Sequence, residues 1–215
     1  MSKTRQRGFS LLEISIVIAI LFILIAVAVP VLMTTVRSAR LRGATNDFSA
    51  LLQQARMRSV QDDRYYSVYF LTTGGVSQEF VDIYPQNING ASGNNGAAIK
   101  PGDPTVALIS EVAPQDASGA PATNNLLLQM LGSNPANLAP QDGTAPGKPV
   151  TFGPEGLPCS PKSVTGGSVC NSQGGPVAYW VFFQNNITQS WEAVTVTPAG
   201  RIQKWSYSDN SWRRR

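Results

Sequence analysis

The side chains that most often carry out catalysis are scarce in this sequence of 215 residues. Histidine is absent and there are only two cysteines. Neither a Ser-His-Asp triad, nor a Cys-His pair, nor a histidine metal site can therefore be built. The acidic pairs Glu79/Asp82 and Glu111/Asp116 match no catalytic motif. We therefore expect a protein that is not an enzyme and that holds no metal ion and no cofactor.

One acidic residue stands in an unusual place. Glu13 directly precedes a run without charged residues, from Ile14 to Val36. As a helix, this run would be about 34 Å long, which is enough to cross a bilayer core of about 30 Å. An acidic residue at the middle of a membrane helix costs about 2.5–3.5 kcal/mol on insertion scales. The position of Glu13 at the edge of such a segment therefore needs an explanation.

Three interpretations of the segment differ in how the chain is processed. As an uncleaved membrane anchor, it would keep its original N-terminus. As a secretory signal peptide, it would be cut after Ala26-Val27-Ala28, which would leave Val29 as the first residue. The apolar run continues beyond that site to Met33, which disfavours a signal peptide. Neither of these two interpretations gives Glu13 a role.

The third interpretation comes from the stretch Arg7-Gly8-Phe9-Ser10-Leu11-Leu12-Glu13, which resembles the processing site of type IV prepilins and pseudopilins. The resemblance implies that a prepilin peptidase cuts between Gly8 and Phe9 and that Phe9 is then N-methylated. It also implies that Glu13 neutralises the N-terminal amine of a neighbouring subunit as a filament grows. Opposite charges at the edge of the lipid are expected to pair, because each is poorly solvated there.

A proline in the apolar run extends the resemblance. Pro30 lies where pilins commonly carry a proline. It lacks a backbone donor and clashes with the preceding helical turn, so we expect a kink or local melting there.

The helix is predicted to continue beyond the apolar run. Apolar residues recur there at spacings of three and four, which is typical of a helix with one face against a core. They are Leu41, Ala44, Phe48, Leu51, Leu52 and Ala55. We therefore divide the chain into a leader (1–8), a transmembrane and assembly half of the helix (9–36), an amphipathic half (37–64) and a globular β-rich domain (65–215).

After residue 65 the pattern favours strands. A hairpin is predicted for YYSVYFL and QEFVDIY, and further strands for TVALISEV, VTF, VAYWVFF, WEAVTVT and RIQKWSY. Loop insertions are predicted around 85–104 and 113–149, the second interrupted by NLLLQML as a strand or a short helix. The fold class is α+β, with one long helix packed on an antiparallel β-domain, as in pilins.

Three further stretches are similar to minor pseudopilins of the FimT/GspH type. They are SARLRGATNDFSALLQQARMRSV, VTFGPEG and VTVTPAGRIQKW. The similarity implies a structural subunit that lies in the bacterial inner membrane with its domain in the periplasm and then joins a type IV pilus or a type II secretion pseudopilus. Its partners would be other pilins or pseudopilins and the prepilin peptidase. The region 85–149 has no counterpart in this resemblance.

The two cysteines lie in the loop CSPKSVTGGSVC. A disulfide between Cys159 and Cys170 suits an oxidising compartment and is worth roughly 3 kcal/mol for a loop of this size. The alternative is a pair of free thiols.

The chain ends in a basic segment. The last fifteen residues hold five basic residues and one acidic residue, whereas 65–200 holds eight acidic and three basic residues. The basic residues are Arg201, Lys204, Arg213, Arg214 and Arg215. They alternate with Trp205, Tyr207 and Trp212, a composition typical of surfaces that hold phosphates and stack on bases.

Two interpretations of this end remain open. Some FimT-type proteins take up DNA through a C-terminal Gly-Arg-x-Arg stretch, which implies a DNA-binding subunit acting in natural transformation. Gly200 and Arg201 match that stretch, but Gln203 replaces its second arginine. The other interpretation is a solvated basic end that improves solubility or meets the acidic body of the next subunit. Trp205 and Tyr207 would then be core and rim residues of the last strand.

Overall fold

In the computed structural model, the described residues are 11–73, 76–82, 104–132, 140–144, 149–164, 167–170 and 177–215. The two helices are α1 (Leu11–Gln61) and α2 (Thr123–Leu131). The strands are β1 (Tyr66–Thr73), β2 (Val76–Asp82), β3 (Thr105–Ala107), β4 (Val112–Gln115), β5 (Gln141–Asp142), β6 (Val150–Phe152), β7 (Pro161–Val164), β8 (Gly167–Cys170), β9 (Tyr179–Asn185), β10 (Trp191–Val196), β11 (Ile202–Ser208) and β12 (Ser211–Arg214).

The C-terminal half of α1 packs on the β-domain with the predicted face. All six predicted stripe residues, from Leu41 to Ala55, are buried. Phe48 is at the centre of the contact, with its ring 5.0 Å from that of Phe70 and 5.4 Å from that of Phe183. Burial of such a face, rather than helix propensity, stabilises a helix in a protein.

Two sheets form most of the domain. In the first, the strand order is β3-β2-β1-β6, and in the second it is β12-β11-β10-β9-β4. All of these neighbours are antiparallel. The short strand β5 joins β9 in parallel orientation, and β7 and β8 form a separate hairpin. The α+β prediction is confirmed.

The second sheet is covered on both faces. One face meets α1 through Val181, Phe183, Val194 and Val196. The other face carries a second core of Phe182, Ala193, Trp205 and Trp212, with Leu126 and Met130 of α2. Because both faces are buried, β10 does not show the alternation of a half-exposed strand.

Three local predictions differ from the structure. TVALISEV forms two short strands, β3 and β4, because the chain turns at Leu108–Glu111 between partners in different sheets. The predicted insertion 113–149 starts inside β4 and includes α2, so NLLLQML is helical. The cysteine loop contains the β7–β8 hairpin. Most of the predicted insertion 85–104 lies outside the described residues.

Candidate functional site

The apolar half of α1 projects from the domain. Every side chain from Leu11 to Val36 is exposed, and burial begins at Leu41. Within the described part of the chain, α1 is the one helix that is long and apolar enough to cross a membrane. Its exposed side chains therefore require lipid or other apolar helices around them.

Polar groups within this half are few and mostly satisfied locally. The hydroxyl of Ser15 donates to the carbonyl of Leu12 over 2.7 Å, and those of Thr34 and Thr35 donate to that of Val31 over 2.9 and 3.0 Å. Such bonds remove the cost of placing a hydroxyl in an apolar medium. Glu13, in the first turn of α1, is the acidic exception.

The predicted processing site and Pro30 also belong to this segment. Gly8 and Phe9 lie outside the described residues, so cleavage and methylation stay predictions. The helix is unbroken across Pro30, so the structure shows no local melting there. The kink stays a prediction.

Two sequence motifs meet at the far end of α1. The Nε group of Arg56 donates to the carbonyl of Gly156, in the GPEG turn, over 3.0 Å. Gly200, in the PAG turn, packs against both, since a Cβ atom there would lie 2.8 Å from the Gly156 oxygen and 3.2 Å from the Arg56 guanidinium. Both glycines have positive φ, at 70° and 75°. The sequence alone did not indicate that Arg56 joins these turns.

The basic C-terminal segment forms a hairpin, which the sequence analysis missed. Strand β12 pairs with β11 around Asp209 and Asn210, whose φ angles of 50° and 57° make the tight turn. Such a two-residue turn with positive φ at both positions suits the twist of a hairpin.

The two tryptophans of the segment are core residues, and Tyr207 is half-buried beside them. Trp205 and Trp212 are 2% and 1% exposed. The indole of Trp205 donates to Thr195 over 2.9 Å, and that of Trp212 donates to the carbonyl of Pro121 over 2.9 Å. Buried rings that already have hydrogen-bond partners offer no face to a base.

A buried carboxylate links the hairpin to α1. Glu192 in β10 is 4% exposed and accepts from the Nη1 of Arg215 over 2.7 Å. It also accepts from the hydroxyl of Thr45, and the Nε of Arg42 lies 3.9 Å from it. An acidic residue inside the apolar strand WEAVTVT was the available sequence signal for this site.

The basic residues are split between two ends of the domain. Lys204 donates to Asn46 over 2.8 Å, and Arg215 is bonded to Glu192, so both lie near the first buried turns of α1. Arg213 forms an exposed ion pair with Asp209 over 2.9 Å, and Arg214 is exposed. Arg201 is exposed beside Gly200, near Arg56 at the other end of the packed helix. The structure does not bring the five residues into one patch.

The cysteine region is partly described. Cys159 is disulfide-bonded. The other cysteine of the chain is Cys170, at the end of β8, whose side chain lies outside the described ones. The Cys159–Cys170 pairing therefore stays a prediction. Elsewhere in the described residues, no group of three or more acidic, Cys or His side chains could hold a metal ion.

Comparison with known proteins bears on the projecting helix. The family "Prokaryotic N-terminal methylation motif" matches residues 3–29. The chain is also 44% identical over 61 residues to the type II secretion system core protein G of Dickeya chrysanthemi. Together, these matches support the type IV pilin and pseudopilin superfamily.

The matched region is a limited part of both chains. It covers 28% of this chain and 40% of the Dickeya relative, so the chain spans less than half of that curated protein. The family match contains Gly8, Phe9 and Glu13, and Pro30 lies one residue beyond it. No solved structure matches the chain significantly.

Proposed function

We propose that the chain is a minor pilin or pseudopilin, a structural subunit of a type IV pilus or a type II secretion pseudopilus. The main support is the exposed apolar half of α1, with Glu13 in its first turn and the methylation motif across it. The helix spans the inner membrane before assembly and packs with the helices of other pilins afterwards. The minor FimT/GspH type draws support from the GPEG and PAG turns, which meet at Arg56.

Processing follows from the same segment. Prepilin peptidase cuts after Gly8, and the new N-terminal Phe9 is methylated. The leader, with Lys3, Arg5 and Arg7, stays on the cytoplasmic side, and the β-domain lies in the periplasm, as the resemblance to prepilins implies. The cut creates an ammonium group at the edge of the lipid, and the carboxylate of Glu13 in another subunit neutralises it.

Mass spectrometry of the N-terminal peptide tests the processing. We expect N-methylated Phe9 as the first residue of the wild-type chain and an uncut chain for Gly8→Val. Ala28→Val is the control, because it would block a signal peptidase instead. A mature chain that begins at Val29, or cleavage that is lost in Ala28→Val and kept in Gly8→Val, would contradict the proposal.

DNA uptake is the second function predicted from the sequence. The packing gives it no added support, since Trp205 and Trp212 are buried and the basic residues lie at two ends of the domain. It would require a salt-dependent affinity for DNA that falls when Arg213, Arg214 and Arg215 are replaced.

A further inference from the structure

Strand β11 runs back along α1 towards the apolar half of the helix. It starts beside Gly200, near Arg56, and reaches Asn46 at Lys204. The turn at Asp209 lies five residues beyond Lys204, or roughly 16 Å along a strand. Arg37 lies nine residues before Asn46, or roughly 14 Å along the helix. The β11–β12 turn is therefore level with Arg37, where the apolar run ends.

Other turns reach the same end of the domain. Strands β9 and β10 are joined there by 186–190, because Trp191 and Gln184 pair at the end opposite Val196. The turn at 108–111 lies beside it, since Asn186 donates to the carbonyl of Glu111 over 2.8 Å. We call the surface formed by Arg37–Arg42, the turns 108–111, 186–190 and 209–210, and Arg213, which reaches Asp209, the base of the domain.

The base is rich in arginine. Arg42 is exposed, and Arg37 is half-buried. Arg40 pairs with Glu111 over 2.9 Å, and Arg213 pairs with Asp209. The Arg213–Asp209 pair is exposed on both sides and therefore weak, so the guanidinium group of Arg213 can turn to a stronger partner at little cost.

The base also presents apolar side chains at two turns. Ile109 is 44% exposed and Ile187 is 51% exposed. About half of each of these isoleucine side chains is therefore left in contact with water. Beside arginine, exposed isoleucine is typical of a surface that lies in the headgroup region of a bilayer.

We propose that the base is a membrane-docking surface that binds anionic phospholipid headgroups. The arginines bind headgroup phosphates, and the two isoleucines enter the interface. This inference rests on the proposed function, because the membrane that α1 spans is the one on which the base docks. Docking would hold the domain against the bilayer until the subunit is extracted into a fibre.

The test uses the full chain in vesicles. A dye on Ser208→Cys, next to the β11–β12 turn, reports docking through quenching by a nitroxide on lipid headgroups. We expect stronger quenching with phosphatidylglycerol than with phosphatidylcholine alone, and a decrease on addition of salt. Each arginine near an anionic membrane changes binding about fivefold, so Arg37→Gln with Arg213→Gln should lower the ratio of docked to free domain about 25-fold.

The control variants replace arginine and apolar side chains outside the base of the domain. Arg64→Gln with Arg201→Gln takes two exposed arginines from the far end of the domain and should leave quenching unchanged. Ile187→Ser should weaken it, whereas Leu128→Ser, at an exposed residue of α2, should not. Equal quenching in both lipids, or equal loss in both arginine pairs, would overturn the proposal.

Two further outcomes separate the alternatives. If Arg37→Gln with Arg213→Gln abolishes the retention of a DNA duplex but leaves lipid quenching intact, the surface binds nucleic acid and the lipid proposal is wrong. Carbonate extraction shows whether α1 is inserted. A chain that carbonate removes contradicts the proposed function as well, whereas an inserted chain with an unresponsive dye contradicts only the docking surface.

Discussion

Arg215 donates to the buried carboxylate of Glu192 over 2.7 Å and thereby connects the C-terminal hairpin to α1, where Thr45 donates to the same carboxylate. Glu192→Ala would leave both donors without this acceptor. Removal of one partner from a buried ion pair costs about 3–5 kcal/mol. Because Arg215 is partly exposed, we expect Glu192→Ala to lower the free energy of unfolding by about 3 kcal/mol. Urea unfolding of the full chain in detergent measures the loss.

Arg213→Ala is the control for that prediction. It breaks an ion pair in which both side chains are mostly exposed. The expected loss is below about 1 kcal/mol. Equal destabilisation by Glu192→Ala and Arg213→Ala would show that burial does not set the strength of the Glu192 contact.

Gly200→Ala should destabilise the domain by about 1–3 kcal/mol. Its φ of 75° is strained for alanine, and the new Cβ would lie 2.8 Å from the carbonyl oxygen of Gly156. Gly43→Ala is the matched variant, because a Cβ at that helical position has nothing within 4 Å. It should raise stability by about 0.5–1 kcal/mol. The same sign for both changes in thermal unfolding would contradict this account.

The packed half of α1 could be predicted because its apolar spacing repeats for four turns, from Leu41 to Ala55. β12 could not, because the three final arginines give no strand signal and Asp209-Asn210 is a less familiar hairpin turn than Asn-Gly. Its strand character comes from Trp212, which fills the core beneath α2. Tertiary burial, rather than local propensity, decides such a strand.

Tyr179 should make stability fall at alkaline pH. Burial raises the pKa of its phenol well above the ordinary value, and the hydroxyl donates to the carbonyl of Cys159 over 2.7 Å. Above about pH 10, the unfolded chain loses this proton while the folded chain keeps it. The contribution of the protonated Tyr179 to the free energy of unfolding is therefore complete below pH 10 and is lost as the pH rises further.

Urea unfolding at increasing pH measures this decline. Tyr179→Phe should lower stability by about 1 kcal/mol at neutral pH, through the lost hydrogen bond, and should make the alkaline decline shallower. Tyr207→Phe, in β11, is the control and should leave the decline as in the wild type. If stability declines with pH as steeply in Tyr179→Phe as in the wild type, the alkaline decline does not come from Tyr179.

Cys159 and Cys170 should be bonded to each other. Non-reducing peptide mapping should recover the two cysteines in one linked peptide pair. Cys170→Ser should lower the free energy of unfolding by roughly 3 kcal/mol, since the closed loop no longer restricts the unfolded chain. The double serine variant should be no less stable than the single one. A disulfide-linked dimer of the wild-type chain would contradict the pairing.

The candidate sites differ in how far the sequence could reveal them. Glu13 stands out because an acidic residue between apolar neighbours at the edge of a membrane-length run is costly, and this signal needs no tertiary structure. The grouping of Arg201 with Arg213–Arg215 follows their closeness in sequence, but β12 places these three arginines beside Lys204 to Ser206, three to five residues along β11 from Arg201. Contacts such as Arg56 with Gly156 join residues one hundred positions apart and are set by packing alone.

The central claim is that Glu13 meets the freed N-terminal amine of another subunit, and fibre incorporation of Glu13 variants tests it most directly. Glu13→Gln keeps the shape of the side chain and removes its charge, whereas Glu13→Asp keeps the charge. With cleavage after Gly8 verified by mass spectrometry for each, we expect Glu13→Gln to be absent from sheared fibres and Glu13→Asp to be retained at least in part. Wild-type amounts of Glu13→Gln in the fibre fraction would contradict the account.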